Sequence, residues 1–328
     1  MRGRLADLTM SYATEYQRSL TDPEGFWSEQ AQALPWYEPP AKTLSQDENG
    51  VWRWFAGGRM NTCYLALDRH VEAGRGDQIA LIYDSPVTGK VEKLTYQALT
   101  EQVALTAGAL AGLGVGKGDR VIVYMPMVPE AAIAMLACAR LGAIHSVVFG
   151  GFAPPELATR IDDAAPKAIL CASCGIEVNN VIPYKPLVDE AIDLSEHKPD
   201  HTIVLQRPEA EASLDRDGDQ DWGEWLAAAS PVGCTEVEAT DPLYILYTSG
   251  TTGKPKGVVR DNGGHAVALN YSMKAIYDCD VGDVFWAASD VGWVVGHSYI
   301  VYGPLIRGCT SILFEGCLLY TSPSPRDI

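Results

Sequence analysis

No run of about 18 or more apolar residues occurs in the chain, so the sequence offers no candidate for a membrane-crossing helix. The N-terminus, MRGRLADLTMSYATEYQ, lacks the apolar stretch of a secretory signal, and Met10 stands as an alternative initiator. Basic charge is scarce. Lys and Arg number 25 against 42 Asp and Glu, a formal net charge of −17. That balance argues against a duplex nucleic-acid partner and against anionic membranes, because both need a Lys/Arg-rich face. Paired cysteines are lacking too. Cysteines 63, 138, 171, 174, 234, 279, 309 and 317 are scattered, several inside apolar runs, as expected of buried free thiols in a reducing compartment, the cytoplasm. The single CxxC at Cys171 and Cys174 has no second pair and no His cluster downstream, and packing in and directly after the strand KAILCAS accounts for both thiols. No repeat of fixed period is visible.

What is present is an α/β rhythm. Residues 1–60 are rich in Trp, Pro and acidic residues and read as an irregular wrap. From residue 79 strands and helices alternate. IALIY and KVEKLTY are strands; a helix over 96–113 stops at Gly114 and Gly116; DRVIVYM precedes the helix PEAAIAMLACARLG, with Pro129 in its first turn and Gly142 at its end. Next come IHSVVF, PPELATRIDDAA, KAILCAS, YKPLVDEAIDL and HTIVLQ; residues 208–223 form a polar acidic loop. The rest alternates as PLYILYT, GVVRD, GGHAVALNYSMKAIY, DVFWAAS, HSYIVYGPLI and TSILFEG. The expected class is α/β, with mixed or largely parallel sheets and helices on both faces.

One segment carries chemistry: Tyr247-Thr248-Ser249-Gly250-Thr251-Thr252-Gly253-Lys254-Pro255-Lys256-Gly257, between the apolar strand PLYIL and the strand GVVRD. Its glycines let backbone approach a ligand, its hydroxyls and N–H groups form a dense donor array, and its lysines add charge, a surface suited to polyphosphate. It is not a Walker loop: five residues before Gly253 stands Thr248, and Pro255 occupies the place of the magnesium-binding hydroxyl.

YTSGTTGKPKG resembles the phosphate-loop signature of the adenylate-forming acyl- and aryl-CoA synthetases. GFWSEQ, LDRHVE, YMPMVPEAAIAMLACARLGAIHSVVFGGF and SDVGWVVGHSYIVYGPL together are similar to the short-chain acyl-CoA synthetases, nearest the propionyl-CoA branch, over about residues 12 to 316. The resemblance implies a ligase in which a carboxylate attacks the α-phosphate of magnesium ATP and CoA thiol then takes the acyl group. On this reading ATP, Mg2+, CoA and a short acid are its small-molecule partners, with no nucleic-acid or membrane partner. Thr248, Ser249, Gly250, Thr251, Thr252, Gly253 and Lys254 would hold the ATP phosphates. Trp293, Val294 and Val295 would wall the acyl pocket, Val295 standing as in the propionyl enzymes. Phe149, Gly150 and Gly151 would contact CoA. No catalytic residue and no metal ligand is implied: the substrate acid is already ionised, so His297 is assigned packing, and Asp283 and Asp290 turns or caps. Where acetyl-CoA synthetases place two arginines toward CoA, this chain has Glu177 and Asn180, and Arg160 or Lys185 would have to compensate. The alternatives are an acetyl-CoA synthetase, another short-chain ligase, or a non-catalytic nucleotide-binding fragment.

The resemblance implies an N-terminal wrap over 1–75 and an adenylation domain over 76–316 that lacks its C-terminal part. Residues 317–328 match nothing in the family and read as a foreign tail. The expectation is that the chain alone is inactive.

Overall fold

The computed structural model describes residues 12–177, 180–248 and 255–316. The strands of its two larger sheets are, in chain order, β1 (Ile79–Ser85), β2 (Lys90–Thr95), β3 (Arg120–Tyr124), β4 (Ile144–Val147), β5 (Ala168–Ala172), β6 (His201–Leu205), β7 (Asp219–Asp221), β8 (Pro242–Thr248), β9 (Lys256–Asp261), β10 (Val284–Phe285) and β11 (Thr310–Phe314). The principal helices are α1 (Tyr96–Gly112), α2 (Pro129–Leu141), α3 (Pro154–Ala164), α4 (Lys185–Leu194) and α5 (Asn262–Ala275).

A seven-stranded sheet runs in the order β7-β6-β5-β3-β4-β8-β9, parallel except for the antiparallel β8–β9 pair. A four-stranded sheet runs β10-β11-β1-β2, its last pair antiparallel. The alternation of side chains along a strand sorts the core into two layers. Val121 and Val123 of β3 and Leu170 and Ala172 of β5 join the layer that holds α1 and α2. Ile122 and Tyr124, with Ile169 and Cys171, face the opposite layer under α3 and α4. Both sheet faces are therefore buried, and the strands read as continuous apolar runs for that reason.

Helix α2 is buried all round except at Glu130, which is why its sequence has no polar face. Gly142 ends it at φ 69°, where a side chain would be strained.

The mixed and parallel sheets expected are these two. Two expectations are corrected. The N-terminal segment is not wholly irregular: Tyr12–Thr21 and Pro23–Ala31 are helices, the second capped by the Asp22 carboxylate on the Gly25 N–H. The acidic stretch 208–223 ends in β7, a parallel edge strand, because Asp219 meets Lys185 at 2.7 Å there.

Candidate functional site

The parallel pairing sends the carboxyl ends of β3, β4, β5 and β8 to one edge of the sheet. Helix α2 leaves β3 toward one layer and α3 leaves β4 toward the other, so the loops diverge and open a crevice. Strand β8 delivers Thr248, exposed, to the same edge, and Thr248 pairs with Lys256 of β9. Strands β8 and β9 therefore form an antiparallel pair, whereas a Walker loop leads from a strand into a helix. Ser249, Gly250, Thr251, Thr252, Gly253 and Lys254 lie outside the described residues.

The crevice contains a cleft of about 440 Å3 lined by Met127, Phe149, Trp286, Asp290, Trp293 and Phe314 among others. Phe149 follows β4 and Trp293 precedes the short helix Val294–Gly296, and their ring centroids stand 5.6 Å apart. The structure thus brings together two residues that the sequence assigns to different substrates. Trp293 is 46% exposed and so is not a core residue; Val294 and Val295, each 45% exposed, do not line the cleft. Gly296 is compelled by packing, since a Cβ there would stand 1.9 Å from the Asp290 carbonyl oxygen.

Asp290 is the residue whose place sequence reasoning underrates. Its Oδ1 accepts the Gly292 N–H at 2.7 Å, the expected turn contact, yet it also forms part of the cleft wall. Burial raises its carboxyl above the usual range. Met127 and Trp286 are missed as well. Each directly follows a strand or its first loop residues at a sheet edge, and that position is the signal that would find them.

The turn after β4 is built by packing. Tyr124 Oη lies 2.9 Å from the carbonyl oxygens of both Gly150 and Phe152. A Cβ on Gly150 would stand 2.2 Å from Tyr184 Oη, and one on Gly175 would stand 2.3 Å from the same atom. Gly150 is buried against that ring, whereas Gly151 is exposed. Glu177, exposed, pairs in register with Asn180 on the adjoining hairpin, and residues 174–183 contain no Lys or Arg.

Neither nearby cation is free. Lys185 is buried, with Asp189 and Asp219 each at 2.7 Å. Arg160 lies 4.6 Å from the Phe152 ring centroid and 5.5 Å from that of Tyr247, and it pairs with Glu156 at 3.1 Å. Tyr247 in turn donates to Asp163 Oδ2 at 2.5 Å, which anchors the residue before Thr248.

His297 is buried behind the cleft, its Nδ1 3.0 Å from the Trp293 carbonyl. It stacks on His145 at 5.4 Å, with Tyr244 at 4.6 Å. Desolvation lowers its pKa to about 4 and that of His265 to about 3, so both imidazoles are neutral at pH 7. That is the packing role expected of His297.

Six of the cysteines, 63, 138, 171, 174, 279 and 309, are buried and free, and Cys234 is half-buried. No described helix is long and apolar enough to cross a membrane.

An α/β body with a cleft at the carboxyl edge of a largely parallel sheet, to which the strand before the Gly/Thr/Lys motif also leads, is the architecture of the doubly wound α/β domains. The chain belongs to the AMP-binding enzyme family: that family's model matches residues 67–324, and the acetyl-coenzyme A synthetase N-terminus matches residues 12–66. It is 62% identical over 307 residues to an uncharacterised protein of Pseudomonas aeruginosa, covering 94% of this chain and 49% of the relative. It is 53% identical to the human mitochondrial acyl-CoA synthetase short-chain family member 3, over 93% of this chain and 45% of that protein. It is 47% identical to the propionate–CoA ligase of Salmonella typhimurium, over 95% of this chain and 50% of that protein. The chain spans about half the length of these curated relatives. The resemblance and the α/β class expected from the sequence are both borne out.

Proposed function

We propose that the chain is the N-terminal portion of an AMP-forming short-chain acyl-CoA ligase whose preferred acid is propionate, working in a reducing compartment. The observation that carries this reading is the convergence of Phe149 and Trp293 on one cleft, at the sheet edge to which β8 delivers Thr248. A volume near 440 Å3 lies in the range of small-molecule sites. The propionate–CoA ligase name of one relative supports the choice of acid.

In this proposal Thr248 to Lys254 grip the β- and γ-phosphates of ATP, whose Mg2+ enters as part of the substrate. Donors held at the hairpin stabilise the charge that develops on the leaving pyrophosphate. The acid's carboxylate attacks the α-phosphate unaided by a base, and the Trp293 ring limits chain length. Val294 and Val295 act by setting the backbone that carries Trp293. CoA approaches the turn Phe149–Gly151, with Gly151 as its exposed member. Because residues 174–183 hold no cation, the CoA phosphates are met from elsewhere. We retain 1–75 as the N-terminal wrap and 76–316 as the incomplete adenylation domain. The activity belongs to the full-length protein and not to this chain alone.

The test is acid-dependent ATP–pyrophosphate exchange by the full-length gene product with acetate, propionate and butyrate. One methylene is worth about 1–3 kcal/mol, so kcat/KM for propionate should exceed that for acetate by about tenfold or more. Exchange that ignores the acid, or that favours acetate, overturns the assignment.

A further inference from the structure

Away from the crevice, a polar knot joins the segment matched by the N-terminal model to the body of the domain. Cys63 sits on the short helix Thr62–Ala66, and Cys234 lies in the stretch that leads to β8. Arg140 of α2 pairs with both Asp68 carboxylate oxygens, at 2.8 and 2.9 Å, and its Nη1 donates to Cys63 Sγ at 3.6 Å. Cys234 Sγ donates to Asp68 Oδ2 at 3.6 Å. The two sulfurs and the carboxylate oxygen all lie within 4.8 Å of one another. A thiophilic cation would suit these ligands on spacing alone, but the Arg140 guanidinium already supplies the positive charge there.

We propose that Cys63 and Cys234 are a peroxide-driven thiol pair that closes to a reversible disulfide, stapling the N-terminal segment to the adenylation domain. Cys234 is the half-buried member and takes the oxidant, while Cys63 is fully buried and resolves it. In the first step Cys234 sulfur attacks one oxygen of hydrogen peroxide. The O–O bond breaks, water leaves, and a sulfenic acid forms. Cys63 sulfur then attacks the Cys234 sulfur, the S–O bond breaks, and hydroxide departs as a second water with the Cys63 proton. Two electrons pass from the thiols to the peroxide. The contact with Cys63 and burial push the Cys234 thiol up, so the pair reacts slowly at neutral pH and faster as pH rises.

The test exposes the 328-residue chain to hydrogen peroxide, blocks remaining thiols with N-ethylmaleimide in acid, and maps peptides without reductant. A Cys63–Cys234 peptide should dominate, should vanish on dithiothreitol treatment, and should give way to scrambled pairs when the same oxidation is run in urea. Cells expressing the chain, quenched and mapped in the same way, serve where purified material is insoluble. Cys63→Ser should leave Cys234 as a sulfenic acid that dimedone traps, and Cys234→Ser should leave Cys63 unmodified. Cross-links among other cysteines in the native chain, a mixture equal to that in urea, or Cys63 oxidised in the Cys234→Ser variant would each overturn the proposal.

Discussion

Replacing Gly150 by Ala tests what the turn after β4 is for. The added Cβ would stand 2.2 Å from Tyr184 Oη and 2.6 Å from Cε2, about 1 Å inside ordinary contact distance. The ring cannot retreat, because Gly175 holds its other edge: a Cβ there would lie 2.7 Å from Cε1. Tyr124 packs on the same ring at 5.0 Å between centroids, which blocks a sideways shift. Overpacking of this kind costs about 1–3 kcal/mol, and with both edges held the upper part of that range is expected. Urea unfolding followed by Trp fluorescence should show the loss in Gly150→Ala. In a Tyr184→Leu background, where the ring is gone, the same change should cost less than about 1 kcal/mol, a coupling of roughly 2 kcal/mol. Equal costs in the two backgrounds would refute the packing account. They would leave ligand approach as the reason for a glycine at 150.

Arg207 and Glu315 form a buried bidentate pair at 2.8 and 3.1 Å, with Tyr83 and Ser85 also donating to Glu315. Arg207→Met should cost about 3–5 kcal/mol, measured by urea unfolding, and Glu315→Gln in the same chain should restore part of it. The buried histidines predict a pH effect. His70 and His265 are lowered to about 3 and His297 to about 4, each by burial, so the unfolded chain binds more protons below about pH 6.5. Stability is therefore full at pH 7 and falls as pH drops toward 4. The loss approaches about 1.4 kcal/mol per histidine per pH unit, and the ring-proton NMR signals of these residues should not titrate between pH 7.5 and 5.5. In the full-length protein, Trp293→Ala should raise kcat/KM for butyrate relative to propionate by about tenfold, read in the exchange assay.

Much of the scaffold is legible because short apolar runs bounded by Gly, Pro and polar turns coincide with buried elements. The strand IALIY, the helix at Pro129–Leu141 and its Gly142 stop are found where expected. Which strands join which sheet is not legible, since β1 and β11 lie far apart in sequence and pair only through the fold. Strand β7 is hidden in an acidic stretch because its partner charge, Lys185, comes from helix α4, distant in sequence. DVFWAAS reads as one strand, but pairing stops after Phe285, and that early stop is what frees Trp286 to enter the cleft.

The cleft shows the same division of information. Trp293 and Phe149 each stand out in sequence by motif, but only the sheet order makes them neighbours. Phe149 follows β4, Met127 follows β3 and packs in the layer of α2, and Phe314 arrives on β11 of the other sheet. Three chain segments with no local relation meet where the connections diverge. A substitution that alters selectivity without touching substrate is therefore expected at Gly296: any side chain there strikes the Asp290 carbonyl and displaces the backbone that carries Trp293. Gly296→Ala should thus broaden acid choice in the exchange assay by moving the wall, not by removing it. Selectivity unchanged in a folded Gly296→Ala protein would mean that Trp293 does not set chain length.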